Sequence, residues 1–457
     1  MRDYRSYSSS YRPRSNLSRP NGPWPLLGLA GLVLVLILVA LGASADEAPA
    51  GDEGAQAQAS AEGGDEGLGD PESRVESLRE EGGDPATARA ERPSFDRLQP
   101  TPADKDLLAR ATLENGRYYL DGPGGKRALT IDATLQERMT KLLETYDVPF
   151  GALAAIEPAT GRVLALAEHS EKNPAMRGLA VQALYPAAST FKIVTGAALL
   201  SAGVPASERV CYHGGKRGLT EKLLKDDPRR DRRCTTLANA MGDSTNVVFA
   251  KLANRSLDAA SLTRWAEKFR FNQPWSFAVP TDASFAKIPE DSLGLATTAA
   301  GFGEVFLSPL HGAAIAAAVG NRGAMVGPVL FDDEVAAEHR VVNERLAAEL
   351  SDMLENTVTS GTARQAFRER GRYVLGEVRA AGKTGSLADK KPFRDYSWFV
   401  GWAPKENPTI AVAAVVVNGP WWRVRAPYVG REALRSYLNE QAKQARREAR
   451  GETVASR

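Results

Sequence analysis

Thiol and imidazole chemistry have little to draw on in this sequence. It holds only two cysteines, Cys211 and Cys234, and four histidines, His169, His213, His311 and His339, scattered along 457 residues. No CxxC, HExxH or Cys/His cluster occurs, so no metal site and no cofactor is expected. The G-x-S-x-G elbow is missing too, which argues against a Ser-His-Asp hydrolase. Charge of one sign is also lacking. Lys+Arg 58 against Asp+Glu 56 leaves a net +2, so no global field favours nucleic acid as a partner.

What charge there is lies unevenly. Residues 1–23 carry Arg2, Asp3, Arg5, Arg12, Arg14 and Arg19, whereas Asp46, Glu47, Asp52 and Glu53 open the stretch after residue 45. Between these flanks Trp24 to Ala43 reads WPLLGLAGLVLVLILVALGA, without a charge. Roughly 20 apolar residues at about 1.5 Å each span the hydrocarbon of a bilayer. The arginines ahead of it place the N-terminus in the cytoplasm and the rest of the chain outside. The run exceeds the usual core of a signal peptide, so a single-pass anchor is expected. A cleaved signal is the rival, because Ala43-Ser44-Ala45 has the A-x-A form. Residues 44–103, rich in Ala, Gly, Asp and Glu with little to bury, read as a disordered acidic linker.

An exported chain sits in an oxidising compartment, where a lone pair of cysteines bridges; Cys211–Cys234 is the expected disulfide. It would close a polar excursion bearing Lys216, Arg217, Lys222, Lys225, Arg229, Arg230, Arg232 and Arg233. A solvated loop, or contact with an anionic glycan or a partner, are its readings.

The globular part opens with a lead-in, 104–128. Leu129 to Val148 then reads as a strand fragment and a helix capped by Asp132, with Leu135, Met139, Leu142 and Leu143 as its apolar stripe. Two strand-like runs flank the turn Glu157-Pro158-Ala159-Thr160-Gly161, a β-hairpin pattern. The middle, from Pro186 to about Ala366, is helical in pattern, and strands return in RAAGKTGSL, YSWFVGWAP and TIAVAAVVVNG. A final helix from Gly430 to about Ala449 becomes highly charged. Strands at both ends with helices between predict one α/β unit, residues 129–440, followed by a charged tail, 441–457.

Within that frame three short motifs occur in order. PAASTFKIV, Pro186 to Val194, opens a helical run that ends at Gly203. It sets Ser189 and Lys192 three apart, on one helix face and within reach of each other. Backbone N–H groups left unpaired at a helix start favour an alkoxide and an oxyanion there. Ser244-Thr245-Asn246 precedes a second apolar helical run. Lys383-Thr384-Gly385-Ser386 lies on a strand. Ser-x-x-Lys, Ser-x-Asn and Lys-Thr-Gly together are a recognised signature of acyl-transfer sites. A second Ser-x-x-Lys, Ser284 to Lys287, has no Ser-x-Asn behind it before Lys383, and no role is expected of it.

From about Leu129 to Tyr437 the chain resembles the transpeptidase domain of penicillin-binding proteins, of the monofunctional kind. LTIDATLQ, AAIEPATGRVLALA, GFGEVFLSPLHGAAIAAAVGNRG, TSGTA and YSWFVGWAP strengthen the likeness. The resemblance implies the serine β-lactamase and D,D-transpeptidase fold, of α+β class, with an antiparallel sheet, a helical subdomain and the site between them. It also implies roles. Ser189 would attack the carbonyl between two D-alanines of a peptidoglycan stem peptide and form an acyl-enzyme. Lys192, its pKa lowered by burial and by Lys383, would take the proton. Ser244 would relay a proton to the leaving amine and Asn246 would hold the substrate backbone. Lys383 with Thr384 and Ser386 would bind the terminal carboxylate. Gly382 and Gly385 would leave room for a peptide paired along the strand, and the N–H groups of Ser189 and Ser386 would form the oxyanion hole.

The implied partners are stem peptides ending in D-Ala-D-Ala, β-lactam antibiotics, the membrane and the cell-wall synthesis machinery. The implied location is the inner membrane, with the catalytic domain in the periplasm. No glycosyltransferase domain is expected. A D,D-carboxypeptidase or endopeptidase, a penicillin-hydrolysing β-lactamase and a catalytically silent scaffold are the alternative functions. No Glu-x-x-Leu-Asn stretch of the deacylating kind is found.

Overall fold

The computed structural model describes residues 107–450 except 123, 216 and 217. The expected basic tail, membrane span and acidic linker lie outside the described residues. Helix α1 (Ala133–Thr145) precedes the hairpin of β1 (Phe150–Ile156) and β2 (Val163–His169). Then come α2 (Lys192–Ser201), α3 (Leu237–Asp243), α4 (Asn246–Ser256), α5 (Pro309–Gly320) and α6 (Glu344–Thr359). Strands β3 (Ala381–Lys390), β4 (Phe393–Ala403) and β5 (Ile410–Asn418) lead into α7 (Ala426–Ala449). The five strands form one antiparallel sheet in the order β3-β4-β5-β1-β2. The early hairpin thus joins the late strands through β5 and β1, and β3 is left on an edge.

The pattern of β5 explains the layers. All nine of its residues are buried, because both faces of the sheet are covered. Successive side chains point to opposite faces. Ala411, Ala413, Val415 and Val417 enter one core with α5, while Val412, Ala414 and Val416 enter another with α1 and α7. Helix α5 is apolar on every side and buried throughout, as a helix inside a core must be. Its small residues allow a close approach: a Cβ on Gly312 would stand 2.9 Å from the Cβ of Ala413.

The ends of these helices follow local chemistry. Asp132 caps α1 by accepting the N–H of Leu135 at 2.8 Å. Gly203, at φ +86°, ends α2 as the sequence suggested. Its N–H reaches the Leu200 carbonyl and that of Val204 reaches Leu199, which satisfies the last turn.

Three boundaries differ from expectation. The last helix starts at Ala426 and not Gly430, since Pro427 suits a first turn and the Ala426 N–H is taken by the Ser397 hydroxyl. It runs unbroken to Ala449, so residue 440 is no structural boundary. The lead-in is itself a small sheet, Thr112–Glu114, Arg117–Gly122 and Gly125–Asp132, whose last strand runs through Leu129. Among the described residues no helix is long and apolar enough to cross a membrane.

Candidate active site

Ser189 stands in a single 3-10 turn, Ala188–Phe191, and α2 begins only at Lys192. In such a turn residues three apart eclipse each other, so the two side chains stack more directly than in an α-helix. Ala188 takes φ +49°, a left-handed conformation rare for a residue with a side chain. That conformation is held from outside. A Cβ on Gly301 would fall 2.3 Å from the Ala188 carbonyl oxygen and 2.9 Å from the Cα of Ser189, so only glycine permits this contact. Upstream, the Trp398 indole donates to the Pro186 carbonyl at 2.9 Å and fixes the approach to the turn.

Lys192 is completely buried. Its Nζ lies 2.8 Å from Ser189 Oγ, 2.8 Å from Asn246 Oδ1 and 2.6 Å from the Ala300 carbonyl. All three are neutral oxygens. Burial pushes the ammonium well below the ordinary lysine range, and the positive charge of Lys383 pushes it further. In the neutral amine two hydrogens remain, matching Asn246 Oδ1 and the Ala300 carbonyl. The lone pair is then left for the Ser189 hydroxyl. This is the geometry of a general base.

The second motif straddles two helices. Ser244 caps α3 in a left-handed conformation, φ +57°, and Asn246 begins α4. Asn246, expected at the substrate backbone, spends its carbonyl oxygen on Lys192, which leaves its amide nitrogen to face substrate. The Ser244 hydroxyl makes no hydrogen bond to Ser189 or Lys192.

Lys383 is completely buried on β3, with Nζ 3.0 Å from the Thr384 carbonyl. Burial lowers it to about 7, opposed by the nearby carboxylate of Asp243. Thr384 shares a 2.5 Å hydrogen bond with the hydroxyl of Thr362. Thr362 is also tied to the Gly242 carbonyl through its N–H and its hydroxyl. Ser386 is exposed on the same edge strand. The two glycines meet close packing. A Cβ on Gly385 would press on Ala187, Thr190 and Trp398, and one on Gly382 on Val400 and Phe399. They admit the nucleophile turn and the neighbouring strand.

Ser189, Lys192, Asn246, Lys383 and Thr384 thus converge between β3 and the helices, whereas Ser284 is buried elsewhere and accepts the N–H of Ser308. Lys287 sits 4.0 Å from Glu304. Cys211 and Cys234 are bonded across the paired strands Arg209–Tyr212 and Arg233–Thr236. Sequence reading missed Gly301, Ala300 and Thr362 as parts of the site. GFGEVF and TSGTA were the signals for them, noted without a role.

The chain is similar to several known proteins. The family model described as penicillin binding protein transpeptidase domain matches residues 151–433. The peptidoglycan D,D-transpeptidase PbpA of Mycobacterium tuberculosis is 28% identical over 369 residues, covering 69% of this chain and 72% of that protein. Stage V sporulation protein D of Bacillus subtilis is 26% identical over 326 residues, 64% of this chain and 49% of its own length. Among solved structures, the imipenem acyl-enzyme of penicillin-binding protein A from M. tuberculosis superposes with a TM-score of 0.54 at 26% identity. The match covers 68% of this chain and 79% of that one.

Proposed function

The chain belongs to the penicillin binding protein transpeptidase domain family, and from that premise we propose that it is a peptidoglycan D,D-transpeptidase working through an acyl-Ser189 intermediate. One observation carries the reading: a completely buried lysine, faced only by neutral oxygens, lies 2.8 Å from a serine hydroxyl. Neutral Lys192 takes the Ser189 proton as Oγ bonds to the carbonyl carbon of a D-Ala–D-Ala peptide bond. The tetrahedral oxyanion lies toward the Ser189 and Ser386 N–H groups. Collapse breaks the C–N bond, and the departing D-alanine amine takes up a proton through Ser244. Protonated Lys383 and the Thr384 hydroxyl hold its carboxylate, and the stem peptide pairs along the free edge of β3. A second stem's amine then attacks the acyl carbon and gives up a proton to neutral Lys192; collapse breaks the C–O bond, Ser189 Oγ takes that proton back, and the new amide is the crosslink.

A β-lactam carries the same carboxylate and a reactive amide, so it should acylate Ser189. The M. tuberculosis relative is known as acyl-enzymes with imipenem and penicillin G. Hydrolysis by water of the same intermediate is the second reading, and no described group is placed as a dedicated deacylating base. The charge contrast around Trp24–Ala43 supports a single-pass inner-membrane protein with this domain in the periplasm. Labelled penicillin followed by peptide mapping tests the core of the proposal. A long-lived adduct on Ser189, absent in Ser189→Ala, is expected. Label on Ser284, or rapid release as penicilloate, would overturn it. A reporter fused after residue 457 should be active only outside the cytoplasm. A soluble chain beginning at Asp46 would show the span to be a cleaved signal.

A further inference from the structure

The excursion closed by Cys211 and Cys234 sorts its charges. In sequence, KDDPRRDRR alternates acids and bases. In the structure each aspartate is committed internally. Asp231 is buried and lies 2.6 Å from Lys251 Nζ of α4, while its other oxygen meets His213. Asp226 pairs with both Lys251 and Arg255. Asp227 accepts the N–H groups of Arg229 and Arg230 at 3.0 and 3.2 Å, closing the turn. Among the described residues no carboxylate pairs with the bases. Lys222, Lys225, Arg229, Arg230, Arg232 and Arg233 are all exposed. Among the described residues none is in an ion pair, and Glu221 is the one acid exposed beside them whose charge is not already paired. Acids engaged within the fold, Asp226 among them although exposed, and unpaired exposed cations make a positive face out of a nearly balanced segment.

The lobe is firmly rooted. Besides the disulfide, Leu224 packs on Ala250 of α4 and on Ala296, and Lys251 donates to the Cys211 carbonyl at 3.0 Å. A Cβ on Gly215 would overlap the Val247 side chain, so the lobe touches the residue that follows Asn246. The lobe is thus seated on α4, the helix that Asn246 opens.

We infer that this face binds the peptidoglycan polymer itself, through the carboxylates of stem peptides flanking the one being processed. The inference rests on the transpeptidase reading for the identity of the polymer. Two observations favour it over a lipid surface. The lobe packs on α4, the helix whose first residue, Asn246, is hydrogen-bonded to Lys192. And among the described residues the exposed large apolar side chains, Leu113, Val335, Phe393, Trp421 and Trp422, all belong to other segments, so the face has nothing to insert into lipid.

The test uses the full chain in detergent, pelleted with purified peptidoglycan. Native protein should bind at about 50 mM salt and be largely released near 300 mM, as expected for exposed charges. The set Arg229→Glu, Arg230→Glu, Arg232→Glu and Arg233→Glu should bind at least about tenfold more weakly, given the reversal of a whole patch. The milder Arg→Gln set should fall between. Both sets should keep penicillin labelling of Ser189, which reports an intact fold and tests the enzymatic reading separately. Unchanged pelleting of folded charge-reversed protein would overturn the inference. So would release of native protein by anionic phosphatidylglycerol vesicles, but not by soluble acidic muropeptides, which would assign the face to lipid.

Discussion

Lys192 and Lys251 are both completely buried ammonium-bearing side chains, and both meet helix α4, yet their surroundings are opposite. Lys192 reaches that helix at Asn246 and finds only neutral oxygens, with a second cation, Lys383, close enough to be felt. Lys251 grows from the same helix less than two turns later and finds two carboxylates, Asp231 and Asp226, and a carbonyl. Burial alone does not make a base. An unanswered buried charge prefers to lose its proton, whereas a charge met by carboxylates becomes part of the frame. One lysine is therefore equipped for chemistry and the other for holding the basic lobe in place.

Exchange of roles by mutation should break the two sites in different currencies. Lys192→Ala should slow penicillin labelling by about 10²–10⁴, the usual loss for a general base, and cost only about 1–3 kcal/mol in stability, from the Asn246 and Ala300 carbonyls left without their donor. Labelling at the native rate would remove Lys192 from the mechanism. Lys251→Ala should do the reverse. It strands the buried Asp231 and should cost about 3–5 kcal/mol in unfolding free energy, while protein still folded labels within a few-fold of native. Burial would raise the Asp231 carboxyl, but the Asp227 N–H, His213 and Lys251 together hold it well below the ordinary range. A carboxyl depressed in the folded state stabilises above its unfolded pKa, and that contribution fades as pH falls through the lower folded value. Denaturant titrations should thus show the Lys251→Ala deficit shrinking in acid.

The disulfide sharpens the same contrast. Its cysteines are 23 residues apart, and removing the cross-link should cost up to about 3 kcal/mol in the chain-entropy view. Cys211→Ser/Cys234→Ser should lower the melting temperature without changing labelling of folded protein. Slower labelling at unchanged stability would mean that the lobe shapes the cleft directly.

The second buried lysine of the site predicts a pH edge. Lys383, lowered to about 7, must be protonated to hold a carboxylate, and Lys192 must be neutral to accept a proton. Labelling should therefore fall as pH rises through about 7, on the order of tenfold per unit at the limit. Lys383→Arg, which stays charged, should remove that edge at some cost in rate. A rate rising steadily to pH 9 would show the carboxylate held by something else.

The sequence disclosed the reactive groups but not what surrounds them. Ser189 and Lys192 are three residues apart, and the strand bearing Lys383 announces itself by alternation and turns, so both were legible. The 3-10 turn was not, because an Ala-Ser-Thr-Phe run reads equally as the first turn of α2. Ala300 lies 108 residues from Lys192, and no spacing rule links them. Gly301 matters through the atoms of Ala188 that a side chain would strike, which is a fact of packing. The charge sorting of the lobe was equally hidden, since KDDPRRDRR gives no sign of which side faces Lys251.

Thr362 offers the smallest and most specific test. Its hydroxyl has one proton and two neighbours, the Gly242 carbonyl at 3.2 Å and Thr384 Oγ1 at 2.5 Å. The Gly242 carbonyl already accepts the Thr362 N–H at 3.1 Å, so it can release the hydroxyl proton without being orphaned. Thr384 must donate its own proton to a substrate carboxylate, and it can do so best when Thr362 donates to it in turn. Thr362→Val keeps the shape and deletes that donor, a loss of about 0.5–1.5 kcal/mol, or roughly two- to tenfold in labelling rate. Thr362→Ser should recover most of it. The deficit should appear with carboxylate-bearing β-lactams and vanish with an esterified analogue, however slowly that analogue reacts. Equal losses with both would make Thr362 a brace between α3 and β3 with no part in holding the carboxylate.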